Sequence, residues 1–364
     1  MRVLVAGGGV AGLETVLALQ ELAGDRLEIE LLAPGRHFTY RPLAVAEPFG
    51  SGAVRRLSLA AIAADRNVRL HRDAVARVLP GERLVETQDR KRIAYDALVL
   101  ALGARPVEAV PGALTFRGPR DAGRVAEIVE RLRAGMIRRL AFIVPPGTTW
   151  SLPLYELALQ TAAAVPRAEL VLATAEPAPL AVFGEEASAA VAALLAERGI
   201  ELRTHAGTQE YDGGRLWLGL SGPFEVDAAI ALPRLVGPGV SGVPSDPLGF
   251  VPVDEFTRVN GVDGIHAIGD MAAHAVKQGG LATQQADVAA EVIAAAAGVA
   301  VTPRPYRPVL NGLMLTGRDV RHLRHHPAGD STITDELLWW PQGKIAGRRL
   351  SPYLAAQPEL AAAR

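Results

Sequence analysis

The chain has 364 residues, which is enough for two or three domains with well-buried cores. Its formal net charge of −1 gives no sign of a nucleic-acid partner, and its lack of cysteine excludes thiolate, persulfide and iron–sulfur chemistry on its own side chains. Hydrophobic residues make up 49% of the chain and aromatic residues only 5%, a balance typical of α/β proteins rich in alanine, leucine and valine.

The first part of the chain predicts a strand, a glycine-rich turn, a helix and a second strand. Arg2–Ala6 is an apolar run of strand length, Leu13–Ala23 predicts a helix, and Leu27–Ala33 predicts the second strand. A glycine-rich turn in this context is the usual start of a dinucleotide-binding domain.

The turn itself fits the pattern G-x-G-x-x-G, with Gly7, Gly9 and Gly12 in the three required places. The first glycine permits the tight turn, the second lets a pyrophosphate approach the backbone, and the third lets the helix pack closely on the strand. Free N–H groups and the positive dipole at the helix N-terminus favour phosphate. The segment therefore predicts a dinucleotide site.

The middle of the chain alternates between short strands and helices, after a predicted loop over Gly35–Gly52. The predicted strands are Val68–His71, Ala74–Leu79, Arg83–Gln88, Lys91–Ala94, Asp96–Leu102, Arg139–Val144, Leu170–Thr174, Glu201–Thr204, Arg215–Leu218, Ala228–Ala231 and Val262–Asp270. The predicted helices are Leu57–Ala64, Arg120–Ala134, Pro153–Ala164, Glu185–Arg198 and Leu281–Ala297. The strand, loop and helix from 139 to 164 repeat the order of the first unit.

These elements predict an α/β fold with two Rossmann-like three-layer dinucleotide-binding domains and a small C-terminal segment. We expect a discontinuous first domain over residues 1–112 and 245–300, a second domain over 113–244, and the C-terminal segment over 301–364. No apolar stretch is long enough for a transmembrane helix, and the N-terminal strand lacks the basic start of a signal peptide. The expected location is the cytoplasm; peripheral membrane contact and the oligomeric state stay open.

Four separated segments together resemble the superfamily of FAD-dependent pyridine nucleotide oxidoreductases: Gly7–Gly12, Tyr95–Gly103, Ile265–Asp270 and the helix that starts near Gly279. Within it, the chain is most similar to the branch of sulfide:quinone oxidoreductase, flavocytochrome c sulfide dehydrogenase and type II NADH dehydrogenase. The resemblance covers residues 1–300 and implies FAD as the cofactor.

The resemblance also implies roles for residues at matching positions. The glycine loop would hold the FAD pyrophosphate, Val75 would meet the adenine through its backbone, and the start of the long helix would point its positive end at the flavin. The implied cofactor-binding residues are Gly7, Gly9, Gly12, Arg41, Pro42, Val75, Ala101, Gly103, Gly269, Asp270, Gly280 and Leu281.

The chain departs from the family pattern in both units. Ala33 stands where an acidic residue usually binds the adenosine ribose, and Glu30 lies three residues too early. Pro145–Ser151 replaces the second glycine loop, and its prolines lack the N–H donors that would cradle a pyrophosphate. The cysteine that the sulfide dehydrogenases carry near Trp150 is absent, so we expect no persulfide chemistry.

Glu156 and Lys277 are the catalytic candidates. Glu156 would carry a proton for reduced flavin, or it would only place favourable charge in a first helical turn. Lys277 would pair with flavin, substrate or Glu156, or it would lie on the surface. Trp339 and Trp340 would cap a planar group or pin the C-terminal tail to the core. 

A cluster of three histidines, His322, His325 and His326, stands among arginines. This cluster is more typical of a solvated basic surface than of a metal site, because metal binding needs ligands that converge on one face together with carboxylates. We therefore predict no metal ligand.

Together, the residues predict an FAD-dependent oxidoreductase that passes electrons to a small, quinone-like or other acceptor without cysteine chemistry. A small-molecule donor would react near Tyr155 and Glu156, and the acceptor near Lys277–Gln285 and the two tryptophans. Two alternatives stay open. One is an NAD(P)H-dependent reductase with an atypical nicotinamide site, in which Glu176 binds a ribose; the other is a non-catalytic flavin-binding sensor or partner subunit.

Overall fold

The computed structural model describes residues 1–219 and 222–357, without the side chains of residues 208 and 209. Seven α-helices lie within these ranges: α1 (Val10–Ala23), α2 (Leu59–Asp65), α3 (Pro119–Arg133), α4 (Leu152–Ala164), α5 (Glu185–Glu197), α6 (Gly279–Ala296) and α7 (Leu350–Ala355).

The same ranges contain 23 strands. They are β1 (Arg2–Ala6), β2 (Glu28–Leu32), β3 (His37–Tyr40), β4 (Arg55–Ser58), β5 (Arg69–His71), β6 (Val75–Leu79), β7 (Leu84–Thr87), β8 (Arg92–Ala94), β9 (Ala97–Leu100), β10 (Arg105–Val107), β11 (Leu114–Thr115), β12 (Arg139–Val144), β13 (Glu169–Thr174), β14 (Ile200–Arg203), β15 (Thr208–Tyr211), β16 (Arg215–Leu218), β17 (Pro223–Glu225), β18 (Ala228–Ala231), β19 (Arg234–Val236), β20 (Ile265–Ala267), β21 (Leu310–Leu315), β22 (Val320–His325) and β23 (Ser331–Thr334).

The first parallel sheet has the strand order β20–β9–β1–β2–β5. Strand β1 pairs with β2 on one side and β9 on the other, and its residues from Val3 to Ala6 are buried because helices or loops cover both faces. The chain leaves this sheet after β9 and returns with β20, where Ile265 lies opposite Leu98. The return explains why the expected first domain is discontinuous.

The second parallel sheet has the order β11–β18–β12–β13–β14. Its central strand, β12, is an apolar run whose bounds match the prediction, and it leads through a loop into α4. The two sheets repeat one strand–loop–helix order, and both are parallel, so the predicted α/β fold with two Rossmann-like units is confirmed. The boundaries at residues 112, 244 and 300 stay a prediction.

Two regions differ in detail from the sequence-based expectation. The predicted loop Gly35–Gly52 contains β3, which pairs with β4, and Ser58 ends β4 and caps α2 by accepting a hydrogen bond from the Ala61 N–H. The predicted strand Val262–Asp270 is shorter, because a 3₁₀ turn begins at Gly269. Short elements of this kind are set by long-range pairing, which a local pattern does not contain.

The C-terminal segment has more structure than expected. Strands β21, β22 and β23 form an antiparallel sheet, and the chain then returns to the first unit, where α7 packs on α1. This return brings residues from the end of the chain to the cavity described below. In the described part of the chain, no helix has both the length and the apolar character needed to cross a bilayer.

Candidate active site

A cavity of about 750 Å³ lies where strands of both parallel sheets end, within the usual size range of cofactor sites. The first glycine loop, the residues before α6, the loop before α4 and the C-terminal segment all line it. Of the predicted site residues, the following line the cavity: Gly7, Gly9, Arg41, Pro42, Val75, Ala101, Gly103, Glu156, Gly269, Asp270 and Lys277.

The three glycines of the first loop have the geometry that their spacing predicts. Gly7 has φ +128°, and a Cβ there would lie 2.1 Å from the Ala101 carbonyl oxygen. A Cβ at Gly12 would lie 1.8 Å from the carbonyl oxygen of Gly7, so Gly12 packs against the turn and does not line the cavity. A Cβ at Gly9 would meet no protein atom within 4 Å, so the backbone there is open to a ligand.

Helix α1 begins at this loop without a side-chain cap. Gly9 is its N-cap residue, and no side chain accepts a hydrogen bond from the first turn. The first N–H groups of a helix have no partner inside the helix, and together with the helix dipole they favour an anion. The geometry of this helix end suits a phosphate group.

The start of α6 is arranged differently from the expectation. Gly280 and Leu281 do not line the cavity, whereas Lys277, Gln278 and Gly279 do. The Gln278 side chain caps the helix by accepting a hydrogen bond from the Leu281 N–H at 2.9 Å, so that donor is already used. The role of Gly280 and Leu281 in binding FAD stays a prediction, and Ala282, in the first turn of the helix, does line the cavity.

Asp270 and Lys277 lie together at the α6 end of the cavity. Burial raises the pKa of the Asp270 carboxyl, and the nearby positive charges of Lys277 and Arg41 oppose this rise. Burial lowers the pKa of Lys277 to about 8. The Lys277 ammonium donates to the Ala272 carbonyl oxygen and lies 4.0 Å from the centre of the Phe250 ring, so it is a buried cation and not a surface lysine.

Glu156 also lines the cavity and pairs with Lys344, which sequence reasoning did not identify. The Lys344 ammonium donates to Glu156 Oε1 and, at 2.9 Å, to the Leu313 carbonyl oxygen. The same Glu156 oxygen accepts the Leu315 N–H at 2.8 Å. The exposed fraction is 7% for the Lys344 side chain and 1% for Glu156, so both charges are almost fully removed from water.

Burial acts on the two members of this pair in opposite directions. It raises the pKa of Glu156 and lowers the pKa of Lys344, while their mutual attraction opposes both changes. The two groups are therefore closer in pKa than they would be in water, which favours movement of a proton between them. A pair with this property beside a cavity is a candidate for acid–base chemistry.

Composition contained a signal for Lys344. Only three of the 38 lysine and arginine residues in the chain are lysines, namely Lys91, Lys277 and Lys344. Two of these three line the cavity. Lysine, unlike arginine, changes its protonation state readily when it is buried, so its rare use here points to a requirement for a group that can titrate.

In the second unit, the carboxylate beside the loop before α4 is already hydrogen-bonded within the chain. Glu176 follows β13, and its carboxylate accepts hydrogen bonds from Ser151 Oγ at 2.9 Å, Tyr155 Oη at 2.7 Å and Thr174 Oγ1 at 2.9 Å. Three hydroxyl groups of the protein thus occupy the oxygens that a ribose would need. Glu176 is not among the residues that line the cavity.

Glu30 cannot replace the acid that is missing at Ala33. Its carboxylate binds the imidazole of His71 and lies 3.5 Å from Arg69, and it does not line the cavity. Asp73 lines the cavity instead, beside Val75. The Asp73 carboxylate accepts backbone N–H groups at 2.7 and 3.3 Å, which fix its position.

Neither Trp339 nor Trp340 lines the cavity, whereas Trp150, in the loop before α4, does. Trp339 donates its indole N–H to the Gly343 carbonyl oxygen at 3.0 Å and packs edge-on against His322, while Trp340 is 81% exposed. Trp339 therefore holds the C-terminal chain, and Ile345, two residues after Gly343, lines the cavity. Among the described residues, no group of three histidine, aspartate or glutamate side chains converges on a point suitable for a metal.

These observations fit FAD. Gly9 and the uncapped end of α1 form a cradle for a pyrophosphate, which an added side chain at Gly9 would fill. Asp270, Lys277 and the pair Glu156–Lys344 line the same cavity. The two units and the C-terminal segment together therefore provide a phosphate site and a buried polar site within one cavity.

Comparisons with known proteins agree with this geometry. The family model described as pyridine nucleotide-disulphide oxidoreductase matches residues 1–291. Oxidoreductase ptaL from Pestalotiopsis fici is 26% identical over 341 residues, which cover 86% of this chain and 88% of that protein. The match to the family model spans both parallel sheets.

Two solved structures share the fold. Sulfide:quinone oxidoreductase from the hyperthermophilic bacterium Aquifex aeolicus has a TM-score of 0.81 at 20% identity, and the match covers 92% of this chain and 87% of that one. A ferredoxin reductase from Rhodopseudomonas palustris has a TM-score of 0.70 at 20% identity, with 90% and 83% covered. The chain belongs to the pyridine nucleotide-disulphide oxidoreductase family, and it is an FAD-dependent oxidoreductase.

Proposed function

We propose that this oxidoreductase exchanges electrons with a small, largely apolar and quinone-like acceptor, using neither NAD(P)H nor cysteine chemistry. The observation that carries the proposal is the buried Glu156–Lys344 pair, which lines the cavity. Two-electron reduction of a quinone also consumes protons, and this pair is a group in the cavity that could deliver one.

FAD would supply the redox chemistry, namely the acceptance and release of two electrons. Gly7, Gly9 and the N-terminus of α1 would hold its pyrophosphate, and Val75 would lie against the adenine. Asp270 and Lys277 would lie along the remaining part of the molecule. The protein residues set the position of the reactants and the electrostatics around them.

Much of the cavity wall is apolar. Leu152, Leu232, Leu235, Leu313 and Ile345 line the cavity, together with the polar pair. Apolar walls with a few fixed polar groups are typical of sites for small planar molecules. In this arrangement the Lys344 ammonium would donate a proton to an oxygen of the acceptor, and Glu156, after taking up a proton from water, would pass it on to Lys344.

The contacts of Glu176 argue against NAD(P)H as the donor. A ribose at this position would have to displace the hydroxyl groups of Ser151, Tyr155 and Thr174 from the carboxylate. Displacement would leave buried polar groups without partners, which costs about 1–3 kcal/mol for each group. Pro145 and Pro146 also lack N–H donors, so the loop offers little to a pyrophosphate in return.

A non-catalytic flavin-binding role is less well supported. Burying a lysine and a glutamate together costs more solvation energy than an apolar pair of the same size, and it gives little net stability. A protein that only binds FAD has no need for such a pair at the cavity wall. Its presence favours chemistry over binding alone.

The experiment is anaerobic stopped-flow oxidation of the photoreduced, FAD-loaded protein by a water-soluble quinone. We expect the rate to saturate with quinone concentration, at about 1–10³ per second, and to fall in the variant Glu156→Gln. A rate that rises linearly without saturation and is unchanged in Glu156→Gln would contradict a specific acceptor site. The variant Glu127→Gln, at an exposed position on α3, is the matched control.

A further inference from the structure

The segment 343–351, here called the C-terminal strap, connects the β21–β23 sheet to α7 and carries Lys344 into the cavity. Its position is not fixed by any regular secondary structure before α7 begins. Lys344 nevertheless must stay at one point, since a buried ammonium group is stable only while its partners remain in place. Other contacts of the strap must therefore hold it.

Arg349 supplies the strongest of these contacts. Its guanidinium donates to both carboxylate oxygens of Glu21 on α1, at 2.9 and 3.0 Å, and to Asp287 Oδ1 on α6 at 2.5 Å. The exposed fraction of its side chain is only 7%. A planar guanidinium that binds two helices through three hydrogen bonds fixes both the distance and the direction of the strap.

The backbone around Arg349 is fixed as well. Glu14 of α1 accepts the N–H groups of Arg349 and Leu350, each at 2.8 Å. Closer to the cavity, the Ile345 N–H donates to Tyr40 Oη at 3.1 Å. The strap is thus anchored on α1, the helix whose N-terminus faces the cavity, and it reaches from there to Glu156 on α4.

We propose that Arg349 is a positioning residue, which holds the C-terminal strap on α1 and α6 and thereby keeps Lys344 in contact with Glu156. Arg349 is outside the cavity and does not touch the reactants. The reason for keeping Lys344 in the cavity rests on the proposed function. The position of Lys344 itself can be measured without any substrate.

The test is competitive acetylation of the FAD-loaded protein with a water-soluble acetylating reagent, read by mass spectrometry at each lysine. The chain offers three sites, and Lys91, whose side chain is 66% exposed, serves as an internal reference. Lys277 reports on a buried ammonium group that contacts Ala272 and Phe250, which do not belong to the strap. The variants are Arg349→Met and, as a matched control, Arg348→Met at the exposed neighbouring position.

We expect Arg349→Met to raise the acetylation rate of Lys344 relative to Lys91 by about tenfold or more, because the strap opens locally. Lys277 should keep its wild-type rate, and Arg348→Met should match the wild type at all three sites. Unchanged protection of Lys344 in folded, FAD-bound Arg349→Met would overturn the proposal, as would an equal rise at Lys277 and Lys344.

If Arg349→Met does not fold, Arg349→Lys and Asp287→Asn give the same comparison, since each weakens the anchor and keeps a polar side chain. We expect a smaller rise at Lys344 in both, and wild-type protection in both would overturn the proposal. The pH profile of quinone reoxidation is the second readout: Arg349→Met should displace it in the same direction as Lys344→Met.

The two readouts separate this inference from the proposed function. A wild-type protein that does not react with quinones, together with the expected change in acetylation, would reject the proposed function and retain the positioning role. Saturable quinone reoxidation, together with unchanged Lys344 protection in every anchor variant, would support the proposed function and reject the positioning role of Arg349.

Discussion

In the first strand–loop–helix unit, the loop between β1 and α1 leaves the helix N-terminus without a cap and open to the cavity. In the second unit, the loop between β12 and α4 begins with Pro145 and Pro146. The Glu176 carboxylate of this unit already accepts hydrogen bonds from hydroxyl groups of the protein. Both units have the same topology, so topology alone does not decide whether a dinucleotide binds. The decision depends on which polar groups the loop and the next strand leave without a partner.

The comparison extends to one carboxylate in each helix. Glu14 and Glu156 are both the fifth residue of their helices, α1 and α4, and both are buried. Each binds the C-terminal segment: Glu14 accepts two backbone N–H groups, and Glu156 accepts the Lys344 ammonium. The equivalent position thus anchors the strap in the first unit and faces the cavity in the second.

The largest effect is expected from variants that break the ion pair between Glu156 and Lys344. Either Lys344→Met or Glu156→Gln alone should lower the free energy of unfolding by about 3–5 kcal/mol, because the remaining buried group loses its partner. Chemical denaturation of each variant measures the loss. The double variant should recover part of it, and a double variant with the summed loss of both single variants would show that the two side chains do not act as a pair.

The first carboxylate gives a pH dependence. Burial, with a smaller contribution from Asp287, raises the pKa of Glu14 to about 7 from an ordinary 4.5. The folded state therefore binds a proton that the unfolded state releases, so this contribution to stability is complete below pH 4.5 and is lost as the pH rises through 7.

The corresponding change in the free energy of unfolding is about 3 kcal/mol. Burial also raises the pKa of Asp287, to about 6, and this acts in the same direction. Thermal denaturation of the wild type from pH 5 to pH 8 measures the slope, and Glu14→Gln should flatten it. The variant Glu127→Gln, at an exposed position, should keep the wild-type dependence of stability on pH. An equally steep dependence in Glu14→Gln would mean that a group other than Glu14 causes it.

The role of the first loop in phosphate binding can be tested at Gly9. Gly9 has φ −92° and ψ −168°, which other residues adopt, so Gly9→Val should fold and fill only the space for the pyrophosphate. We expect FAD binding to weaken by about 100-fold or more, which is about 2.7 kcal/mol. Titration of the apoprotein with FAD measures it.

Gly123→Ala on α3 is the matched control, since its added methyl group also meets no protein atom and points to solvent. It should bind FAD as the wild type does. An unchanged affinity in Gly9→Val would mean that the phosphate lies elsewhere.

The smallest effect is expected from removing one of the hydrogen bonds that the Glu176 carboxylate accepts in the second unit. Tyr155→Phe removes a 2.7 Å hydrogen bond to the Glu176 carboxylate, which should cost about 1.5–3 kcal/mol of unfolding free energy. Tyr211→Phe removes a 3.0 Å bond to a neutral carbonyl group and should cost about 0.5–1.5 kcal/mol. Equal losses in the two variants, measured by chemical denaturation, would argue that Glu176 is not held as a charged acceptor.

The sequence predicted those parts of the site that depend on neighbours along the chain. Gly7, Gly9 and Gly12 act through their own backbone and the turn that they form, so their spacing was sufficient. The cap at Leu281 was not foreseen, because Gln278 is a less common capping residue than Ser, Thr, Asp or Asn.

Contacts between distant segments were beyond the sequence pattern. Lys344 meets Glu156 across 188 positions, and nothing near either residue specifies the other. Strand β21 includes Asn311 and Gly312, which weaken the local signal, and it forms because it pairs with β22 and packs on α4. Packing of this kind is a property of the whole chain.

The central claim is that the first loop serves a dinucleotide and the second does not. The most direct test is the visible absorbance of the anaerobic, FAD-loaded protein after mixing with NADH and then with NADPH. We predict that the flavin absorbance persists over many seconds with either nucleotide. Bleaching within the range of ordinary turnover, about 1–10³ per second, would contradict the account and identify the second loop as a working nicotinamide site.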